Sequence, residues 1–398
     1  MDRIGRAIAK LDISPRSAIH CGCGTRPVFE GCANDVRIFH KNGDLMHAWR
    51  ILAASLIGSL LLLGCAAQLV DSEDIWGDIR PGQNYAPASR MIDGWYAVEA
   101  IDERTFAINE PKSEQYNTSY LIVGSTRAIM FDAGCGERPA GSKSMREVAG
   151  RLTDKPVTLI LSHHHYDHTG DAATFEDGVT LVDRPEIRAR IDNGRYTIGA
   201  LESGGAVPPP LKIAGFVKDG DTIDLGDRQL SAYNLPGHTN ESVVLVDRVR
   251  NLAFTGDHVY QHLGGIVAMT PQSDLPIYKA NVDRLLALTD AKTRYLGAHG
   301  DPHFDRAWVS LIDSELGKMV AGTATYRYAS HYLVPGKMPL RVLQNGDLYI
   351  YTTPLVDPSL FWSKWSLLAI AAALSLALYL VARLFRRLRG GSRSRPET

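Results

Sequence analysis

The run Val157-Thr-Leu-Ile-Leu161, followed at once by Ser162-His163-His164-His165-Tyr166-Asp167-His168, is the most informative segment of this 398-residue chain. A continuous apolar run of that length suits a buried strand. The residues after it spell H-x-H-x-D-H. A single histidine there would most simply be a buried polar residue with a hydrogen-bond partner. Several imidazoles beside a carboxylate are different. They repel one another when protonated and lose hydration when buried, so a cation is needed to offset the cost. Imidazole nitrogen together with carboxylate oxygen suits zinc or another borderline divalent ion.

Three further ligand candidates lie downstream, each just past an expected strand. His238 stands in Leu-Pro-Gly-His-Thr after an alternating segment 224–235. Asp257 stands in Thr-Gly-Asp after 252–255, and His299 in Gly-Ala-His-Gly after 293–296. Side chains at strand ends can meet on one edge of a sheet although they lie far apart in the chain. The rest of the body alternates in the same way. Residues 120–123 and 128–131 read as a hairpin, 144–152 as a helix, 179–182 and 242–246 as strands, 184–191 as a helix and 194–215 as a Gly/Pro-rich loop. Residues 274–288 read as a helix capped by Ser273 or Asp274, with Ile277, Val282, Leu285, Leu286 and Leu288 on its buried stripe. Residues 340–351 turn at Asn345-Gly346, a hairpin signal. Strands mixed with helices in this manner predict a layered α/β core.

This ligand series, with its flanks, resembles the metallo-β-lactamase superfamily over residues 90–320. The resemblance implies the family's αββα sandwich, two facing sheets with outer helices. Carried onto this chain, it implies that His163, His165 and His238 hold one metal ion. Asp167, His168 and His299 would hold a second, and Asp257 would bridge the two, with zinc the expected ion at both. Phe131-Asp132-Ala133-Gly134 resembles the family's early Asp motif, so Asp132 is expected to support the metal loop from behind. Tyr260 lies three residues past the bridging Asp, where lactonases of the superfamily place a substrate-touching Tyr. A packed strand-end aromatic is the plainer alternative. His164 and His258 match no ligand position.

The implied chemistry is hydrolysis. Two ions share a hydroxide whose pKa they lower toward ~7. That hydroxide attacks a polarised carbonyl, and the ions stabilise the oxyanion. Asp167 would be catalytic, orienting the nucleophile and passing a proton to the leaving group. His-His-His-x-Asp-His and Pro-Gly-His-Thr resemble the glyoxalase II group. Ser273-Asp274, Tyr278 and Arg284-Leu285 resemble a related acyl thioesterase-like group. The expected substrate is a small molecule with an ester, thioester or lactone-type carbonyl. Three alternatives remain: β-lactamase or phosphodiesterase activity at the same site, a mononuclear iron persulfide-type oxygenase on His163, His238 and Asp257, and a non-catalytic metal-binding membrane protein.

Composition is near a globular average, 45% hydrophobic and 22% charged with a formal charge of −1, which excludes a disordered chain and gives no basic surface for nucleic acid. The apolar residues are nevertheless concentrated near the ends. Residues 51–63 suit the core of a secretory signal, and Leu62-Leu63-Gly64-Cys65 resembles a bacterial lipobox, with Cys65 as the lipidated residue. An uncleaved signal-anchor is the alternative. From Trp365 to Ala382 no residue is charged, a run able to span a hydrocarbon core of about 30 Å. Phe361, Trp362 and Trp365 flank it on one side, and Arg383, Arg386, Arg387, Arg389, Arg393 and Arg395 on the other. The positive-inside rule then puts the tail in the cytoplasm and the body outside it, in the periplasm of a Gram-negative cell.

The expected organisation follows. Residues 1–45 are a mis-assigned or disordered leader, 46–65 a signal, 66–89 a linker and 90–320 the hydrolase domain. Residues 321–358 form an extension with a hairpin, 361–383 a transmembrane helix and 384–398 a basic tail. The expected partners are a small-molecule substrate and membrane lipid, not nucleic acid, and the oligomeric state is open. With Cys65 lipidated, Cys135 has no cysteine left in the mature chain to pair with.

Overall fold

The computed structural model describes residues 69–70, 89–113, 115–261, 265–300, 302–331, 338–353, 356 and 364–390, the last helix with its side chains at 370 and 372–384. The signal segment, Cys65 and the residues after 390 lie outside this set.

Two sheets build the catalytic body. In the first, β2 (Arg90–Ile92), β3 (Tyr96–Asp102), β4 (Thr105–Asn109), β5 (Thr118–Val123), β6 (Ala128–Phe131), β7 (Val157–Ile160) and β8 (Val179–Val182) lie side by side in chain order. Beyond β8 come β11 (Leu211–Val217), β10 (Arg195–Tyr196) and β9 (Ile191–Asp192). Pairing is antiparallel from β2 to β6 and parallel from β6 through β7 and β8 to β11. The parallel strands are nearly all apolar and nearly all buried, as strands covered on both faces must be. Between β6 and β7 the chain crosses over through α1 (Met145–Leu152), which Ser144 and Glu147 close with a reciprocal capping box.

The second sheet runs β12 (Thr222–Asp224), β13 (Gln229–Asn234), β14 (Val243–Asp247), β15 (Leu252–Gly256), β17 (Arg294–Gly297) and β18 (His303–Phe304). Its strands alternate their faces. On β14, Leu245 packs into the cluster that contains Ile129, Leu159 and Phe254 between the sheets. Its neighbours Val244 and Val246 join the cluster formed with two outer helices, Leu275–Leu288 and Arg306–Val320. This is the α/β sandwich. Arg228 and Asp247, both buried and 2.7 Å apart, pin the sheets together, because the same guanidinium donates to the Arg104 carbonyl and the Thr105 hydroxyl. Removing one partner alone would strand a buried charge, at a cost of about 3–5 kcal/mol.

A third sheet has the order β1 (Leu69–Val70), β19 (Arg327–His331), β20 (Met338–Asn345), β21 (Leu348–Thr352) and β16 (Gly265–Ala268). Its last pairing, β16 beside β21, ties the C-terminal hairpin to the segment after Asp257.

The structure departs from the sequence reading at several elements. Segment 224–235 is not one strand: Asp224 ends β12, the chain reverses at Gly226 with a φ of +103°, and only Gln229–Asn234 is β13. The metal loop carries its own turn, α2 (Tyr166–Thr169), and the helix expected over 184–191 is only the four-residue α3 (Pro185–Arg188). It stops early because Asn193-Gly194, both at positive φ, turn the chain into the β9–β10 hairpin. The stretch 194–215 holds β10, the one-turn α4 (Ala200–Ser203) and the start of β11. In α5 (Leu275–Leu288), Asp274 is the cap, but Ile277 is 43% exposed and Tyr278 is buried in its place. The sequence reading contains no counterpart of α6 (Arg306–Val320), which Asp305 caps. The last helix, α7 (Lys364–Gly390), has 27 residues. Among the described residues no helix is long and apolar enough to cross a membrane.

Candidate metal centre

Four strand ends deliver the histidines and carboxylates to one edge of the sandwich. β7 leads into His163, His165, Asp167 and His168, β13 into His238, β15 into Asp257 and β17 into His299. The sheets are stitched together at that edge: Val243 N–H donates to the Ser162 carbonyl at 2.7 Å, and Thr118 N–H to that of Ala298 at 2.6 Å. All seven side chains are buried.

They fall into two sets. Ligand atoms of His163, His165, His238 and Asp257 all lie within 4.8 Å of one another, and so do those of Asp167, His168, Asp257 and His299. Asp257 belongs to both. In the first set His165 Nδ1 is 2.9 Å from His163 Nε2 and 3.0 Å from His238 Nε2. In the second, Asp257 Oδ1 is 2.9 Å from His299 Nε2 and 3.3 Å from His168 Nε2.

The outer hydrogen bonds decide what the inner atoms can be. His238 Nδ1–H donates to the Val267 carbonyl at 2.7 Å and His299 Nδ1–H to that of Gln115 at 2.8 Å. His168 Nδ1–H faces the Asp132 carboxylate at 2.9 Å. A neutral imidazole with its proton on Nδ1 presents a bare lone pair at Nε2. In their neutral forms, therefore, these three imidazoles turn Nε2 lone pairs inward, two of them at carboxylate oxygens. His168 Nε2 and Asp257 Oδ1 are buried without any hydrogen-bond partner. Orphaned acceptors facing one another are unstable unless protons or cations stand between them, and this donor set fits divalent ions.

Charge follows the same division. Burial, then neighbouring imidazoles, push His163 well down, and burial with His238 brings His165 down to about 3. Burial also lowers His238. Burial opposes the charged form of His168 and His299 too, but Asp257 and Asp167 outweigh it and raise both. Burial pushes the two carboxyls up, and His168 and His299 overcome it and hold both below the ordinary carboxylate range. The second set is therefore the one where cationic charge is favoured most.

Asp132 sits at a φ of +70° and takes the Ser162 N–H on its other oxygen at 2.6 Å. Tyr260 is buried, its ring edge-on to His299 at 5.0 Å between centroids. Burial and the nearby Asp257 raise its pKa, so the hydroxyl stays protonated. His164 points away from both sets. Its Nδ1 donates to Glu202 at 2.5 Å, with the buried Glu241 at 3.7 Å. His258 is buried with neither ring nitrogen partnered.

Asn117 and Thr270 lie outside the motif reading, whereas Ser273 and Tyr278 belong to the thioesterase-like resemblance with no contact assigned to them. Asn117 Nδ2 donates to the Asp167 carbonyl at 2.8 Å and to its carboxylate at 3.2 Å. The hydroxyls of Thr270 and Ser273 both donate to the His238 carbonyl at 2.9 Å. Tyr278 OH donates to the carbonyls of His258 at 2.6 Å and Asp257 at 3.2 Å. The contacts themselves could not be read locally, since each joins residues distant in sequence.

Known proteins are similar to this chain. Residues 114–300 match the family model described as the metallo-beta-lactamase superfamily. The acyl-coenzyme A thioesterase MBLAC2 of Gallus gallus is 30% identical over 262 residues, covering 60% of this chain and 87% of its own. That of Homo sapiens is 29% identical over 218 residues, covering 49% and 77%. A hydroxyacylglutathione hydrolase of Methylobacterium nodulans is 27% identical over 161 residues, covering 40% and 54%. The chain belongs to the metallo-β-lactamase superfamily, as a metal-dependent hydrolase of that fold.

Proposed function

We propose that this chain is a membrane-anchored, dinuclear zinc hydrolase of acyl thioesters. The observation that carries the reading is Asp257, which belongs to both ligand sets and has an unpartnered oxygen between them. Two divalent ions bound there would supply Lewis acidity and an activated water at neutral pH. The chain's own residues do the rest. His163, His165 and His238 would hold one ion, and Asp167, His168 and His299 the other, with Asp257 between. Asp132 keeps the His168 lone pair turned inward. The Asp167 carboxylate, steadied by Asn117, is placed to hold the water in line and to carry its proton toward the departing sulfur. Tyr260 walls the site beside His299 as a hydroxyl donor. The thioester choice follows the relatives, whose names are those of an acyl-coenzyme A thioesterase and a hydroxyacylglutathione hydrolase.

The anchoring part rests on the sequence rather than on the described helices, none of which meets the length and apolarity of a membrane span: the uncharged run Trp365–Ala382 falls within α7. Ile370, Leu374, Leu376, Leu378, Tyr379, Val381 and Leu384 are exposed. Such an apolar surface is stable in lipid and costly in water. With the arginine tail inside, the hydrolase body stands outside the cytoplasm.

Thiol release from acyl thioesters by the zinc-loaded full chain in detergent tests the activity. Asp167→Ala is expected to lower kcat by at least about 100-fold, and chelation to abolish turnover. Unchanged hydrolysis in that variant, or one iron per chain with oxygen consumption, would overturn the reading. Protease accessibility of the body in intact spheroplasts tests the topology.

A further inference from the structure

The geometry points to α4 and the apolar rim beside it as the part of the chain that selects the acyl group, on the side of the site built by His165 and His238. This rests on the thioester reading above. Segment 199–205 lies directly on the metal loop. A Cβ at Gly204 would sit 3.7 Å from His165 Cδ2, and one at Gly205 only 2.4 Å from the Tyr166 ring. Gly204 has room for a Cβ but holds a φ of +67° that side chains rarely adopt, and Gly205 cannot carry one unless the segment or the Tyr166 ring moves.

Glu202 fastens the segment. Its Oε1 accepts from His164 at 2.5 Å and from the Tyr196 hydroxyl at 2.6 Å. Its Oε2 meets Arg190 at 2.7 Å and the Gly199 N–H at 3.1 Å. Burial would raise its pKa, but these donors overcome it and bring it down to about 2, so the carboxylate stays charged. On the other side, Gln272 Nε2 donates to the Leu201 carbonyl at 3.3 Å. Gln272 belongs to the same turn as Thr270 and Ser273, which hold the His238 carbonyl. Leu201 therefore stands between the segments that carry His165 and His238.

A backbone tied down this firmly nevertheless leaves its aliphatic side chains open. Leu201 is 77% exposed and Val207 47%, with Pro208, Pro209 and Pro210 following. Fixed apolar groups at the lip of a buried polar site supply the contact area that an apolar ligand needs. The substrate class is a thioester of a medium- or long-chain acyl group rather than of acetate.

The test compares dodecanoyl- and acetyl-coenzyme A on the zinc-loaded full chain. Leu201→Ser is expected to lower the dodecanoyl-to-acetyl ratio of kcat/KM about tenfold, the scale of a lost methylene or two in an apolar pocket. Val249→Ser, in the turn at the opposite end of β14 and β15, is the control and should leave the ratio unchanged. The non-hydrolysable S-dodecyl thioether of coenzyme A should bind the wild type about tenfold tighter than Leu201→Ser by calorimetry. If thioesters are cleaved but the variant keeps the wild-type ratio, the rim assignment is overturned and the thioester reading stands. If no thioester is cleaved, the thioester reading falls. Equal thioether binding to both proteins then overturns the rim assignment as well.

Discussion

Asp132→Asn separates the inward lone pair of His168 from every other property of the site. The backbone there has a φ of +70°, a conformation asparagine tolerates as well as aspartate, so the turn survives. Asp132 is buried and accepts two hydrogen bonds, from Ser162 N–H at 2.6 Å and from His168 Nδ1–H at 2.9 Å. Asparagine has one oxygen for these two donors. The Ser162 amide cannot reverse its role, so the oxygen goes there and the amide NH2 faces His168. That imidazole must then accept at Nδ1 and carry its proton on Nε2, between Asp257 at 3.3 Å and Asp167 at 3.5 Å. A protonated Nε2 cannot ligate. Binding of an ion in the second set now has to reverse the tautomer against an unfavourable contact. The expected loss is about 10–100-fold in affinity at that set, or about 1.4–2.8 kcal/mol, while the His163, His165 and His238 set is untouched. Zinc titration with a chromophoric competitor, together with metal content per chain after dialysis, reads both affinities. Two ions held as tightly as in the wild type would refute the tautomer argument. Equal weakening of both would show that Asp132 supports the whole edge instead.

Three other perturbations probe the frame. Tyr278→Phe removes the hydroxyl that donates to two carbonyls of the Asp257 loop. The metal-free protein should lose about 1–2 kcal/mol, or roughly 2–8 °C in melting temperature for a body of this size; an unchanged melt would mean the loop holds itself. Glu110 is buried against Trp95 and the Cys135 amide, and burial raises its pKa from 4.5 to about 7. The folded form thus holds its proton more tightly than the unfolded chain, so stability falls as pH rises from about 4.5 to about 7 and the full cost of about 3 kcal/mol is present above that. Chemical denaturation at pH 5 and pH 8 should show this loss in the wild type and a smaller one in Glu110→Gln; parallel slopes would assign the pH dependence elsewhere. Gly170→Ala places a Cβ 2.2 Å from the Gly136 nitrogen. Backbone cannot yield cheaply, so a loss of about 3 kcal/mol or more is expected, visible as poor soluble yield; a wild-type melt would refute the contact.

The division between what was legible in the sequence and what was not follows the range of the interactions involved. Residues that leave a strand end at a fixed offset were readable, because the strand itself aims them, and β7, β13, β15 and β17 all end within a few residues of a ligand candidate. Turns set by backbone conformation were harder. Gly226 divides the segment expected as one strand, yet its neighbours keep the alternation of a continuous strand. Helix α6 went unassigned although Asp305 caps it and Val309, Ile312, Leu316 and Met319 form a buried stripe at helical spacing. The instructive residue is His164. In extended backbone successive side chains point to opposite faces, and the chain around His165 is extended, with φ −66° and ψ 152°. If His163 and His165 face the ligand sets, His164 must face away, and that much follows from a two-residue period alone. Its partner does not. Glu202 lies 38 residues further on, beyond β8, α3 and the β9–β10 hairpin, and only the folded arrangement brings it back. Local geometry therefore says which way a side chain points, whereas what it meets there belongs to topology. That is why the ligand series was readable and the Glu202 fastening of the rim was not.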